Sequence, residues 1–471
     1  MEMVETIAER LAGFAIETHF EDLPPDVVEE SRRVLLDSVG CAVAGLETRK
    51  GEIGIRFAQE FGGRPKSTII GSGQRVSLLG AAFANGEMMN SLDYEAILNP
   101  GHVQPAFFVP AHLAIAESQR SSGKELILAT ALALEISTRI GAALPHYRDA
   151  IGEKVTVPPV SGLDCAVFGG TAGVGKIMGI DRSGLSNALG IAASLAPLPT
   201  GGKLVRTYGM PSIKYVLAGW LCQAELTAAR LAQMGHSGDT SVFEGEYGFW
   251  RFYGSNKWDP ERLLDGLGST WRLLSIRYKC YPCCGGLQTA LDCFSSILVE
   301  NNLVAEEIEA VEAQLEGFCD EPMFKGTRVE TEADAQFSVA YLFAVAAHWV
   351  PVGPAWYSQA VMGDPRVLGF MKRVKSRPHP DYAAAIRRDP TTTLSKVEVR
   401  ARGRVFSEER THHKGSPALE TTRMSDADLA AKFRVNASEV LTRDKIDRLI
   451  ERIMSLEMTE DVSQLMGSLR G

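Results

Sequence analysis

Asp93 and His102 stand nine residues apart in the run EMMNSLDYEAILNPGHVQPAFFVPAHLAIA, which spans residues 87–116. The stretch before Asp93 is helix-compatible, and Asp93-Tyr94-Glu95 leads into a loop containing Pro and Gly. A second apolar helix is predicted to begin near Pro110. A carboxylate and an imidazole on a loop between two buried helices are what proton transfer to a small molecule requires. A helix cap followed by a surface histidine would use the same two residues, so the pair alone does not decide between these readings.

Two lysines widen the chemistry. Lys279 lies in Arg277-Tyr278-Lys279-Cys280-Tyr281-Pro282-Cys283-Cys284, followed by two glycines. An ammonium on an apolar turn bounded by Gly and Pro can hold a substrate carboxylate or act with a lowered pKa. Lys214 is predicted to begin an otherwise apolar helix, where a cation opposes the helix dipole and needs another partner. Reaching out to water is its alternative. Asp93, His102, Lys214 and Lys279 together supply an acid–base pair and two cations, a set suited to a substrate with two or three carboxylates.

Two further motifs lead elsewhere or nowhere. Cys280, Cys283 and Cys284 could ligate a metal, but no second Cys or His cluster lies nearby to complete a tetrahedral site; buried structural thiols are expected. The run from Gly170 to Lys176 fits the phosphate-cradling G-x4-G-K pattern, yet Ile177 stands where Ser or Thr would ligate magnesium. A close-packed helix is the expected reading of that segment.

The elements that must position these residues are set by composition and pattern. The chain has 471 residues, 45% of them hydrophobic and 23% charged, so two or three packed soluble units are expected. Net charge −9 disfavours nucleic acid and anionic membrane surfaces as partners. No apolar run approaches the roughly 18 residues of a membrane span. The N-terminus, MEMVETIAERLAGF, is unlike a signal or transit peptide, and eight cysteines do not form a secreted disulfide framework. A cytoplasmic, acidic, enzyme-sized protein is the expectation.

Residues 1–270 read as helices joined by short loops, with Pro24-Pro25 opening one and further candidates at 77–92, 106–119, 124–143, 165–179, 183–195 and 211–234. From 271 to 411 the texture changes. Ile308–Leu315 and Leu394–Ala401 alternate apolar and polar residues, Arg404–Arg410 partly so, and helical patterns lie at 334–348 and 366–374. Residues 412–471 are helical again, SDADLAAKFR opening with a capping-type Ser-Asp. The predicted fold is mainly α: a large helical domain built from both chain ends, with a smaller α+β lid from the middle.

Several runs in this order and spacing resemble the MmgE/PrpD family. They include LLDSVGCAVAGL (35–46), AAFANGEMMNSLDYE (81–95), GHVQPAFFVPAHLAIAE (101–117), VFGGTAGVGKIMGI (167–180), SVFEGEYGFW (241–250), AQFSVAY (335–341) and DLAAKFR (428–434). The resemblance implies a helical large domain, an α+β lid, a homodimer, and an active site between the domains that uses neither metal nor cofactor. It also implies small polycarboxylate substrates and movement of a proton at a carbon next to a carboxylate. Asp93, His102, Lys214 and Lys279 fall on positions matching the family's active-site motifs. Tyr94, Arg277 and Tyr281, which flank them, are candidate substrate contacts.

The chain departs from the family pattern at three positions. Val160 stands where the family usually has a second active-site histidine, Cys284 where it often has another, and Gln288 where a further one begins the next helix. Cys284 is a candidate catalytic group if Lys279 stabilises its thiolate; Val160 and Gln288 are candidate substrate contacts. Ordinary 2-methylcitrate dehydration, which needs both a base and an acid, is disfavoured by this set. The expected function is a cofactor-independent lyase, a dehydratase or decarboxylase, acting on a small di- or tricarboxylate or related acid. An isomerase or epimerase using the same site is one alternative, and a non-catalytic carboxylate-binding homologue is another.

Overall fold

The computed structural model describes residues 5–146, 148, 150–155, 157–158, 165–198 and 201–470. Val160 lies outside them.

Helices build most of the chain: α1 (Ile7–Glu17), α2 (Pro25–Ala44), α3 (Arg49–Glu60), α4 (Leu78–Asn90), α5 (Val109–Gln119), α6 (Gly123–Ala142), α7 (Ala166–Ile177) and α8 (Arg182–Leu195), then Ala218–Gln233. Helix α2 starts as its sequence requires, with Pro25 in the first turn, where a missing N–H costs nothing. Helix α6 begins in a capping box between Ser122 and Glu125. Helix α7 is the glycine-rich run that mimics a phosphate loop. It packs along α6, and a Cβ at Gly169 would lie 2.1 Å from Ser137 Oγ, so the glycines there serve helix contact.

The helix predicted over 211–234 begins only at Ala218. Lys214 sits in the preceding turn with φ +56°, a left-handed conformation outside the helix, and its ammonium donates to the carbonyl of Asn90, the last residue of α4, where the negative end of that helix favours a cation. The pattern at 334–348 divides into Glu332–Phe337 and Val339–Ala347, because Ser338 leaves the first and caps the second.

Two short hairpins, β1 (Ser67–Thr68) with β2 (Arg75–Val76) and β3 (Ala150–Ile151) with β4 (Lys154–Val155), precede the main sheet. That sheet has the order β6 (Val374–Pro378), β5 (Ile308–Leu315), β7 (Ser395–Ala401), β8 (Arg404–Arg410). β5 and β6 are parallel and the other pairs antiparallel. The helix predicted at 366–374 is α-helical to Phe370 and continues as a 3-10 turn through Arg373, and Val374 opens edge strand β6. The charged alternation and terminal Pro378 of β6 suit an edge.

Near the C-terminus, Ser425 and Asp428 form a capping box for the helix Asp426–Ala437, which packs on α2; Arg443–Met454 follows. Both ends of the chain therefore meet in one helical body. Among the described residues no helix is long and apolar enough to cross a membrane.

Candidate active site

The loop after α4 is held by both chain ends. Asp37 of α2 accepts a hydrogen bond from the Ala96 backbone N–H at 2.9 Å and an ion pair from Lys432 at 2.7 Å. Lys432 also donates to the Tyr94 carbonyl at 2.7 Å, and its ammonium lies 3.8 Å from the Tyr94 ring centre. Farther along, Ile97 and Arg277 exchange backbone hydrogen bonds of 2.8 and 2.9 Å, tying the loop to the turn that carries Lys279. Gly101 then lies against Gly141, where a Cβ would come within 2.4 Å of the Gly101 Cα. This contact seats the loop on α6 just before His102.

Asp93, His102 and Lys214 all adopt left-handed φ, at +50°, +56° and +56°. For residues other than glycine this costs on the order of 1–3 kcal/mol each, and such strain concentrates at functional sites. Three separate strained turns aim their side chains at one place.

There, Tyr215 Oη donates to Asp93 Oδ1 at 2.6 Å. Lys279 Nζ lies 3.2 Å from the same oxygen and donates to the Asp93 carbonyl at 2.6 Å. Lys214 Nζ donates to the Asn90 carbonyl at 2.5 Å. The His102 ring meets the Tyr215 ring edge-on at 5.6 Å between centres. Among the described residues, Asp93 Oδ2 and Glu95 Oε2 are buried with no hydrogen-bond partner. The structure thus brings together all four residues expected from sequence.

The electrostatics sort these groups by role. Burial alone would raise the Asp93 carboxyl, but Lys279, Lys214 and the Tyr215 hydroxyl bring it down to about 2. Glu95, equally buried, moves the opposite way: burial, with the Asp93 charge adding to it, outweighs the lysines and favours the neutral acid. Burial would lower the Lys279 ammonium, yet Asp93 and Glu95 more than reverse this and hold it above the usual lysine value. Burial carries Lys214 down to about 7, with Lys50 and Lys279 adding repulsion against the pull of Asp93 and Glu95. His102 falls to about 3 through burial and the nearby Lys279 and Arg277 charges, so it is neutral at ordinary pH. At neutrality the site holds a fixed carboxylate, a fixed ammonium, a neutral imidazole and one lysine balanced between its two forms.

The other expected residues fall into different places. Cys284 is buried beside the cluster, but burial and the Asp93 charge push its thiol up to about 12; Lys279 does not compensate, so the expected thiolate is absent. Its backbone N–H donates to the Gln336 carbonyl at 3.4 Å, and Gln336 Nε2 donates to the Ser91 carbonyl at 2.7 Å. The Tyr94 hydroxyl donates to the Cys280 carbonyl at 2.9 Å, and Tyr281 Oη bonds to Ser295 at 3.0 Å. Gln288 accepts from the Cys280 and Tyr281 N–H groups at 2.9 and 3.0 Å and donates to the Tyr281 carbonyl at 2.9 Å. Tyr94, Tyr281 and Gln288 therefore shape the Lys279 turn. Arg277 is buried next to His102 and lowers it electrostatically.

A cavity of about 460 Å³ lies against Lys214, lined by Arg49, Lys50, Ser91, Pro211, Lys214, Glu332 and Gln359 among others. Of the four central residues, Lys214 forms part of its wall. Sequence reasoning missed Tyr215, Glu95, Asn90 and Gln104. Tyr215 adjoins the chosen Lys214 and Glu95 lies two residues after the chosen Asp93, so proximity in sequence could have flagged both. Among the described residues no group of three or more His, Cys, Asp or Glu side chains is arranged to hold a metal ion.

Helical bodies from both chain ends, an α+β segment between them and a two-lysine, one-aspartate centre define a class of protein that comparison with known families bears on directly. Residues 9–261 match the MmgE/PrpD N-terminal domain and residues 281–457 the MmgE/PrpD C-terminal domain. The chain belongs to the MmgE/PrpD family. It is 25% identical to the cis-aconitate decarboxylase of Mus musculus, over 100% of this chain and 94% of that protein. It is 24% identical to the Homo sapiens protein of the same name, over 100% of this chain and 95% of the other. A cis-aconitate decarboxylase of Aspergillus terreus is 30% identical over 56% of this chain and 54% of its own length.

Proposed function

We propose that this protein is a lyase that decarboxylates a small unsaturated di- or tricarboxylate. The observation that carries the reading is Lys214, a buried ammonium balanced near neutrality beside Asp93 and Lys279 and forming part of a cavity wall. A cavity of about 460 Å³ is of the size that takes a small metabolite. Relatives named cis-aconitate decarboxylase that align along nearly the whole chain support the same reaction class.

In this mechanism Lys279 holds a carboxylate that stays on the substrate. Loss of CO2 leaves its electron pair on carbon, delocalised through the double bond toward that carboxylate, where the Lys279 charge stabilises it. The Lys214 ammonium delivers a proton to carbon and regains one from water in the cavity. Asp93, fixed as an anion, keeps both lysines in place. The residues supply the charge stabilisation and the proton themselves, so the reaction in this form needs no cofactor.

Dehydration would need a second well-matched acid for the departing hydroxyl, and His102 at about 3 is a poor one. Decarboxylation is therefore preferred. We take residues 271–411 as the lid, a homodimer as the working assembly, and the cytoplasm as the compartment. CO2 release across a panel of small acids tests the proposal: unsaturated tricarboxylates should react, and monocarboxylates should not. Water loss from a hydroxy acid, with no CO2 released from any acid, would replace decarboxylase by dehydratase.

A further inference from the structure

Lys50, Asn90 and Gln104 form a chain of hydrogen bonds that ends on the His102 ring. Lys50 is buried on α3, and its Nζ donates to Asn90 Oδ1 at 2.7 Å, with Glu87 Oε2 at 3.5 Å. An ammonium has donors and no acceptor, so the Asn90 atom facing it must be the oxygen. The Asn90 amide nitrogen is thereby turned the other way. It donates to Glu95 Oε1 at 2.7 Å and to Gln104 Oε1 at 3.0 Å. Gln104 is in turn fixed with its oxygen toward Asn90, which leaves its NH2 toward His102 Nε2 at 3.4 Å.

An amide NH2 only donates, and a protonated Nε2 would set two donors against each other. We propose that Lys50, Asn90 and Gln104 are positioning residues that fix His102 as the neutral tautomer with its proton on Nδ1 and a lone pair on Nε2. Each amide in the chain has one allowed orientation once Lys50 is charged, so a cation on α3 decides the hydrogen placement on an imidazole it does not touch. The burial that holds His102 neutral acts in the same sense. The consequence for chemistry, which rests on the reading under Proposed function, is that His102 enters the site as a neutral Nδ1–H donor suited to a carboxylate oxygen.

Long-range ¹H–¹⁵N spectra of protein labelled on histidine test the tautomer without any turnover. The His102 signals are identified by their loss in His102→Gln. The expected result is a protonated, pyrrole-type Nδ1 and an unprotonated, pyridine-type Nε2. In Gln104→Glu the carboxylate can only accept, and Nε2 should become protonated. Lys50→Met, which frees the Asn90 amide to turn, should give a mixture. In Gln104→Glu, which removes the Nδ1–H donor, KM for the acid should rise about tenfold or more. A wild-type spectrum showing protonated Nε2 overturns the proposal, as does an unchanged ring in Gln104→Glu. If that variant does not fold, the wild-type spectrum decides. Correct tautomers in a protein without decarboxylase activity would leave this inference standing and remove only the reading of function.

Discussion

The Tyr215 hydroxyl donates to Asp93 Oδ1 at 2.6 Å, and the residue before it in sequence, Lys214, answers the same carboxylate with charge. One strained turn therefore supplies both a hydrogen bond and an ammonium to the acidic loop. Removing the hydroxyl in Tyr215→Phe leaves a buried carboxylate short of one donor, worth roughly 1.5–3 kcal/mol for a bond to a charged group. A fall in kcat/KM of about 10- to 100-fold is expected from that energy, with the fold retained by circular dichroism. Unchanged kinetics would show that the hydroxyl does not position Asp93.

The pH dependence follows from Lys214. Its folded pKa of about 7 makes the proton-donating form the major one below that pH and the minor one above it. Activity measured as kcat/KM should fall as pH rises through about 7. Asp93 at about 2 and His102 at about 3 do not titrate in that window. Lys214→Arg keeps the charge but gives up its proton far less readily, so binding should persist while turnover collapses. A profile that instead rises through pH 7 would assign Lys214 as a base.

Cys284 is a buried neutral thiol, with its pKa pushed up to about 12. Cys284→Ala should keep kcat within about threefold of wild type, since no proton-transfer step is assigned to the thiol. A loss beyond about 100-fold in a folded variant would restore it as a catalytic group.

The Asp37–Lys432 pair joins α2, the acidic loop and the C-terminal helices at 2.7 Å, with both side chains buried. Breaking a buried pair by removing one partner costs on the order of 3–5 kcal/mol, because the other charge is left uncompensated. Lys432→Met should destabilise by about that amount in denaturant titrations, and Asp37→Asn in the same chain should recover part of it. Additive losses would mean the two residues act independently.

Much of the centre was legible in the sequence because charges in apolar surroundings are conspicuous. Asp93, Lys214 and Lys279 each interrupt a run of small or apolar residues, and burial of such residues demands partners. The strand Ile308–Leu315 declared itself by alternation and the more exposed Arg404–Arg410 partly so, and both end where expected. Strand β6 did not, because its half-buried positions are Val374, Ser376 and Pro378, which offer a single strand-forming apolar residue to read. The turn at Lys214 was hidden for another reason: the apolar residues around it fit a helix, whereas its left-handed backbone accompanies a turn bond from the Lys214 N–H to the Pro211 carbonyl and a distant one from its ammonium to the Asn90 carbonyl. Asn90, Gln104 and Gln288 were illegible as connectors. A neutral amide is equally at home on a surface, and its role depends on partners brought from distant segments.

The most direct test of the central claim is proton NMR of the purified protein with cis-aconitate in D2O. The expected result is disappearance of the substrate with release of CO2, and a product carrying one deuterium on carbon, delivered by Lys214. Recovery of the acid with its carboxylates intact, whether unchanged or with deuterium exchanged into it, would contradict decarboxylation at this site.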